Sequence, residues 1–249
     1  MVNFPLLVLL FSFVTLAFAA YIGDALRKRV PRREDARDDF GVVLTSTLTL
    51  LGLIIGFSFS MSISRYDLRK NCEQLEANAI ATEFARADLL APADATTVRA
   101  LLHRYLDQRL SYYTTRDRGR LEKIAADTAQ LRDELWSAVR TAVTSIPAPT
   151  VALLVSGMND ISNSQRSTQA AWWNRIPVAA WVLMASISLC CNFLIGFRAR
   201  RTDWFLFLVL PVALSVSFFL ISDIDSPTGG AIRVLPQNLS SLSHALAAR

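Results

Sequence analysis

The sequence lacks the residues from which most enzyme sites are built. It contains two histidines, His103 and His244, so it offers neither an HExxH pair nor a histidine cluster for a metal. It also has no glycine loop followed by Lys-Ser or Lys-Thr, and no GxSxG motif. We therefore expect a protein that is not an enzyme and that uses no cofactor and no metal.

Cysteine is scarce and no charge of one sign dominates. Cys72, Cys190 and Cys191 have neither the number nor the spacing of a disulfide framework or a zinc site. The net charge is +5, and basic and acidic residues are interspersed in nearly equal numbers between residues 65 and 175. A balanced distribution of this kind does not indicate a nucleic-acid partner.

Charge is absent altogether from four long stretches. They are residues 1–23, 41–64, 176–197 and 204–222, and they are 19 to 24 residues long. An α-helix needs about 20 apolar residues to cross a hydrocarbon core, and a backbone in lipid has to satisfy its own hydrogen bonds. The sequence therefore predicts an all-α protein that crosses the lipid bilayer with four helices, arranged as two pairs.

A helical extramembrane insert is expected between the two pairs of spans. Asp94 is the expected N-cap of one helix, and Val151, after the breakers Pro147 and Pro149, is near the start of another. Apolar side chains at helical spacing support a stripe on each of two insert helices. The stripe residues are Val98, Leu101, Leu102, Tyr105, Leu106 and Leu110 on the first helix, and Leu121, Ile124, Thr128, Leu131, Leu135 and Val139 on the second.

The second membrane helix is expected to continue beyond the bilayer on the face that carries Leu75, Ala79, Thr82 and Arg86. The predicted domains are residues 1–64 for the first helix pair, 65–175 for the extramembrane domain, 176–222 for the second pair and 223–249 for a short polar tail.

The distribution of Lys and Arg predicts the orientation of the chain. The segment "AFAA" at residues 17–20 resembles a signal-peptide cleavage site, but the basic cluster at 27–29 follows the apolar run rather than preceding it. We therefore expect a retained first span with its N-terminus outside. Basic residues in the loops 24–40 and 198–201 place both loops in the cytoplasm and the insert outside. Residues 172–173, both Trp, are expected in the headgroup layer.

One side of the second span carries small and hydroxyl side chains, which has two interpretations. Gly52 and Gly56 have the spacing that lets two helices pack closely in lipid. Alternatively, hydroxyls and exposed backbone line a pore, with Leu53 or Phe57 as its hydrophobic constriction. The residues of this stripe are Thr45, Thr49, Gly52, Gly56 and Ser60.

Charged residues at the end of two spans also have alternative interpretations. Arg65, Arg69 and Lys70 would concentrate anions at the mouth of a pore, or they anchor the helix end at phosphate headgroups. Asp223 and Asp225 are expected to end a helix in the headgroup layer, and the alternative is a partial cation site completed by another chain. The segment 223–230 departs from a calcium loop at its fifth and sixth positions.

Five segments together resemble the bacterial DUF4239 family, whose members are described as bestrophin-like. In chain order they are "GFSFSMSISRYDLRK", "EANAIATEFARADLL", "LLHRYLDQRL", "WWNRIP" and "DIDSPTGGAIRV". The resemblance covers nearly the whole chain, with Ala81 where the family has a glycine. It implies a multi-pass protein of the bacterial inner membrane.

The resemblance to bestrophins themselves lies in the second span. Bestrophins are pentameric anion channels whose second helix lines a narrow hydrophobic neck and carries a Gly-Phe pair followed by an Arg-aromatic pair. Residues 56–57 and 65–66 are similar in type and spacing, which implies that Thr49, Leu53 and Phe57 face a pore. Bestrophins differ in keeping the insert in the cytoplasm, and this tail has no clear acidic calcium clasp.

Two functions follow as hypotheses. The first is an oligomeric, bestrophin-like channel for inorganic anions such as chloride, a homo-oligomer and by resemblance a pentamer, with the second span as pore helix. The second is a non-conducting membrane sensor or scaffold whose helical insert binds a partner or a ligand. The second hypothesis requires the small-residue stripe to be buried between helices of one subunit.

Overall fold

The computed structural model describes residues 5–29, 36–142, 146–198 and 204–248, with only the backbone for 36–40, 118 and 204–206. Throughout these ranges the regular structure is helical and no strand is present, so the predicted all-α class is confirmed. The helices are α1 (Pro5–Arg27), α2 (Ala36–Arg86), a short 3₁₀ turn (Ala87–Leu89), α3 (Pro92–Thr114), α4 (Arg118–Ala142), α5 (Ala148–Trp173), α6 (Val178–Arg198), α7 (Trp204–Asp225) and α8 (Gln237–Ala247).

Within the described residues, four helices are long and apolar enough to cross a membrane, as the sequence predicts. The charge-free stretches fall in α1, in α2 from Gly41 onwards, in α6 and in α7. Four of the nine basic residues of the two short loops lie in the ranges 30–35 and 199–203, outside the described residues, and the structure contains no membrane. The sidedness of the insert therefore stays a prediction.

Residues 1–65 and 175–233 form one compact unit, which contains the four apolar helices. In this unit α1 packs against α6 and α7. The crossing of α1 and α6 is close, since a Cβ on Gly23 would overlap the carbonyl oxygen of Phe193 and a Cβ on Gly196 would overlap that of Ala20. The buried apolar residues of the unit are Leu16, Leu44, Leu51, Ile176, Met184, Cys191, Leu214, Phe218 and Ile221.

Residues 66–174 and 234–249 form the second compact unit. There α3 packs against α4 and α8. The apolar stripes expected on α3 and α4 are confirmed as their buried sides, with Leu101, Leu110 and Leu121 only partly buried. The fully buried members include Val98, Leu102, Leu106 and Leu135.

Two expectations for this unit were wrong in detail. Helix α3 begins at Pro92 after Ala91, so Asp94 lies inside the first turn and is not the N-cap; proline already has the backbone angle of a first helical residue. Trp172 is buried, with its ring 4.5 Å from that of Tyr112, whereas only Trp173 is exposed.

The predicted continuation of the second membrane helix is confirmed, because α2 runs beyond the charge-free stretch to Arg86. The insert covers mainly another side of this part of the helix. Leu75 and Thr82 are exposed, and the buried positions of this part of the helix are instead occupied by Cys72, Ile80 and Phe84 among others. The buried side is shifted because it also takes in charged residues, which a search for apolar periodicity passes over.

Charged residues of α2 hold the second unit together. The carboxylate of Glu76 receives two hydrogen bonds from the Arg109 guanidinium, at 2.9 and 3.0 Å, and both side chains are buried. Glu73 accepts hydrogen bonds from the Leu239 backbone N–H at 2.8 Å and from Asn238 at 2.6 Å, at the start of α8. The tail after residue 233 is therefore not only polar, because it contains a packed helix with Leu239 fully buried.

Candidate functional site

The small-residue stripe of α2 lies on an exposed part of the helix. Thr45, Thr49, Gly52, Gly56 and Ser60 are all exposed. A Cβ added to Gly52 or to Gly56 would meet no atom within 4 Å. The stripe is therefore not covered by any described part of the same chain.

The buried side of α2 lies elsewhere on its circumference. Leu44, Leu51, Ser58 and Ser62 are buried, at intervals of seven and four residues. With about 3.6 residues per turn, this line lies more than about 90° around the helix from the stripe. The two leucines join the apolar core of the four-helix unit, so this is the side on which the chain covers α2 with its own helices.

The two candidates for a hydrophobic constriction are exposed. Leu53 is 55% exposed and Phe57 is 64% exposed. At about 100° per residue, Leu53 lies about 160° and Phe57 about 120° around the helix from the middle of the buried line through Leu44, Leu51 and Ser58. In a single chain α2 thus presents large apolar side chains and a flanking line of small polar ones on its uncovered side.

The two threonine hydroxyls of the stripe are already bonded within the helix. Thr45 donates to the Gly41 carbonyl oxygen at 3.0 Å, and Thr49 donates to that of Thr45 at 2.9 Å. Such bonds let Thr lie in an apolar helix without an unpaired donor. The hydroxyl oxygens remain able to accept a bond from water.

No described residue packs against Gly52 or Gly56, so these glycines do not bring two described helices of one chain together. Within the four-helix unit, Gly23 and Gly196 make such a close contact instead, where α1 and α6 cross. The requirement of the sensor hypothesis, a stripe buried between helices of one subunit, is thereby contradicted. Contact with another copy or with a pore remains compatible with the exposed glycines.

The expected basic mouth is reduced in the structure. Arg65 Nη1 lies 3.4 Å from Asp225 Oδ1, with 13% of the arginine side chain exposed. Arg69 is buried, at 3% exposure, because it precedes Glu73 and Glu76 by four and seven residues and so shares their buried side. Lys70 alone of the three predicted cations is exposed.

The two acidic residues at the end of α7 hold backbone in place. Asp223 accepts hydrogen bonds from the N–H groups of Ala231 and Ile232, both at 2.8 Å. Asp225 accepts a bond from the Ile176 N–H at 3.2 Å, in addition to its pairing with Arg65. Helix α7 does end here, as expected, and both carboxylates are buried within the protein. Their position in the headgroup layer stays a prediction.

No group of three His, Cys, Asp or Glu side chains that could hold a metal is found in the described ranges. In that part of the chain, the oxygens of Asp223 and Asp225 are used by backbone N–H groups and by an arginine, which is the arrangement of a structural clasp. This pairing gives the alternative of a shared cation site no support.

Reasoning from sequence missed the buried polar residues of the insert. Glu73, Glu76 and Glu83 of α2 and Arg109 of α3 are all buried at 2% exposure or less. The spacing of the three glutamates, three and seven residues apart, places them on one side of the helix, and this was the available signal. It was overlooked because charged residues on a helix usually face solvent.

Comparisons with known proteins agree with this architecture. The model of the bestrophin-like domain matches residues 9–239 of the chain. Two solved variants of a bacterial bestrophin homologue from Klebsiella pneumoniae each superpose with a TM-score of 0.70, at 13% and 12% identity. Both superpositions include 96% of this chain, and they include 96% and 98% of the two homologue chains, respectively.

A further structure, described as a membrane protein, superposes with a TM-score of 0.66 at 14% identity. This superposition includes 98% of the present chain and 97% of the other chain. At such identities the likeness concerns the fold. No curated protein sequence matches the chain.

Proposed function

The chain belongs to the bestrophin-like family, and on this basis we propose that several copies of it form an anion channel lined by α2. The main support for this proposal is the uncovered side of α2, where Phe57 is 64% and Leu53 is 55% exposed. A ring of subunits that turn this side inward would enclose a conduit. The same helix would keep its line of buried residues against the rest of its own subunit.

The chemistry of the uncovered side suits a narrow conduit. Rings of Leu53 and Phe57 would form apolar constrictions, which control passage through dewetting. Thr45, Thr49 and Ser60 would present hydroxyl oxygens and small side chains on the flank beside these rings, where neighbouring copies of α2 approach each other or water enters. Lys70, one and a half turns beyond the Arg65 end of the span, would add positive charge near the exit.

The role of Phe57 can be tested by recording from purified protein in planar bilayers. We expect Phe57→Ala to increase the unitary anion current, because removing a ring of phenyl groups widens the conduit. We expect the unitary current to rise several-fold if the ring of Phe57 side chains is the narrowest part of the conduit. Phe18→Ala is the matched control, since Phe18 is exposed to a similar degree on α1.

Two results would contradict the channel. One is the absence of any current from protein whose helical content and melting temperature show that it is folded. The other is an identical current in the wild type, in Phe57→Ala and in Phe18→Ala, which would exclude Phe57 from the conduction path.

A binding role for the insert has one observation in its favour. A polar groove of about 380 Å³ lies between α2 and α5, lined by Asn78, Thr82, Asp160 and Asn163 among others. It could receive a small polar ligand alongside conduction. A ligand that bound there would be expected to lose affinity on Asn163→Leu, measured by calorimetry.

A further inference from the structure

A groove runs along the surface of the four-helix unit between α1, α6 and α7. Its larger part, a cavity of about 640 Å³, is lined by α1 from Leu7 to Leu16 and by Ala185 and Phe218. Its smaller part, of about 240 Å³, reaches Arg175. Val8 and Trp181 line both parts, so the two cavities adjoin.

The wall of the larger part is effectively apolar. Its two hydroxyl residues, Ser12 and Thr15, donate to carbonyl oxygens of their own helix, at 3.1 Å to Leu9 and at 2.8 Å to Phe11. The rest of the wall is aliphatic or aromatic. A hydrocarbon chain suits such a surface, because it has no polar group that would lose hydrogen bonds to water there.

The length of the groove matches one leaflet of a bilayer. From Leu7 to Leu16 the helix rises by about 14 Å, at about 1.5 Å per residue. Half of a hydrocarbon core of about 30 Å is about 15 Å. One acyl chain running from the interface to the bilayer centre would therefore fill the groove along its length.

The smaller part supplies a polar end of positive charge. Arg175, Asp225, Ser222 and Ser226 line it, and Asp225 is already paired with Arg65. Arg65 pairs with Asp225 from outside the lining, so the three charged groups at this end, Arg175, Arg65 and Asp225, sum to one positive charge, and the serine hydroxyls are potential donors. Trp181 lies where the two parts of the groove meet, and tryptophan side chains favour the boundary between headgroups and hydrocarbon.

We propose that this groove is a binding site for one phospholipid with an anionic headgroup. One acyl chain lies along α1 between α6 and α7, and the headgroup phosphate lies at the Arg175 end. A second copy of the chain is a poorer occupant, because an apolar helix face offers no negative charge for the arginine end. The site does not depend on whether the protein conducts.

The proposal can be tested by native mass spectrometry of the full chain in detergent, titrated with phosphatidylglycerol or with phosphatidylcholine. We expect one tightly held phosphatidylglycerol per subunit, bound at least about five-fold more tightly than phosphatidylcholine. Ala185→Phe places a ring in the groove and should reduce binding at least ten-fold. Val182→Phe is its control, on the same helix and exposed, but outside the groove.

The polar end is tested separately by Arg175→Gln. This variant should abolish the preference for phosphatidylglycerol while still binding lipid, whereas Arg166→Gln, at an exposed arginine of α5, should leave the preference intact. The melting temperature of each variant without added lipid shows whether it is folded.

Three results would overturn the site. The first is equal binding of the two lipids by the wild type. The second is equal retention of phosphatidylglycerol by Ala185→Phe and Val182→Phe. The third is dissociation of an oligomer by Ala185→Phe without loss of lipid per subunit, which would mean that a second copy occupies the groove.

Discussion

At the scale of single residues, Glu83 has the least ordinary environment in the insert. Its side chain is fully buried on α2, and neither carboxylate oxygen has a hydrogen-bond partner among the described residues. A Cβ on Gly157 would overlap Oε2, so the carboxyl group lies against the backbone of α5. Burial raises the pKa of Glu83 to about 7, Arg86 opposes the shift from 3.7 Å, and Asp160 adds slightly to it.

This pKa predicts a stability that falls as the pH rises. A glutamate has an ordinary pKa of 4.5, so between pH 4.5 and about 7 the folded state binds a proton that the unfolded state releases. The stabilising effect is fully present below pH 4.5 and is lost as the pH rises through about 7, up to about 3 kcal/mol in all.

Replacing Glu83 by Gln should remove this pH dependence. We expect Glu83→Gln to be more stable than the wild type at pH 8 and nearly equal to it at pH 5, measured by thermal unfolding at both pH values. Glu122→Gln, at an exposed glutamate of α4, is the control. If the difference in stability between the wild type and Glu83→Gln is the same at both pH values, the pKa of Glu83 is not raised.

At the scale of helices, two pairs of glycines in the described part of the chain can be compared as sites of close helix packing. Gly52 and Gly56 have the familiar spacing within one helix, yet they are open. Gly23 and Gly196 come from helices far apart in sequence, and they carry the close contact between α1 and α6. Spacing within a helix shows which residues share a face, but it does not show which helix will cover that face.

The two glycine sites should respond oppositely to the same substitution. Gly196→Ala adds a methyl group where a backbone carbonyl already lies, so we expect a loss of about 1–3 kcal/mol from overpacking. Gly52→Ala adds a methyl group in open space and should leave the folded subunit unchanged or slightly more stable, because alanine favours a helix by about 1 kcal/mol over glycine.

Thermal unfolding of both variants in detergent, with helical content as the readout, measures this difference. A Gly52→Ala variant that is destabilised as strongly as Gly196→Ala would mean that the stripe is a packing surface that folding itself requires. The conductance of Gly52→Ala is a separate measurement, because the stripe flanks the proposed conduit.

At the scale of the whole molecule, one copy of the chain leaves its proposed pore helix largely uncovered. The apolar stretches of α1 and α2 each have only 17% of their residues buried. For α1 the surrounding lipid accounts for the exposure. On α2 the exposed side also carries small polar residues, so we infer that other copies cover part of it.

The oligomeric state is therefore the prediction for the assembly. Native mass spectrometry of protein extracted in a mild detergent should show a complex of several 27.6 kDa chains, and by resemblance to bestrophins five of them. A protein that stays monomeric at micromolar concentration in several detergents and in lipid nanodiscs would contradict the proposed conduit, since one chain cannot surround it.

The four spans, the helical insert and the apolar stripes of α3 and α4 were readable from the sequence. Each depends on a local regularity: about 20 uncharged residues in a row, or apolar residues every three to four positions. The family was readable too, because five short segments occur in the right order. The stripe of α2 was recognised as a set of residues that share one side.

What only the tertiary structure decided is which partner each of these sides meets. Arg69 and Glu76 had to be seen among their neighbours before they could be recognised as buried, and the same holds for Asp223, Asp225 and Trp172. The sequence determines which side chains share a face because that depends on the repeat of the helix alone. The covering of a face depends on contacts between residues distant in the chain, such as Gly23 with Phe193, and these exist only once the helices have packed.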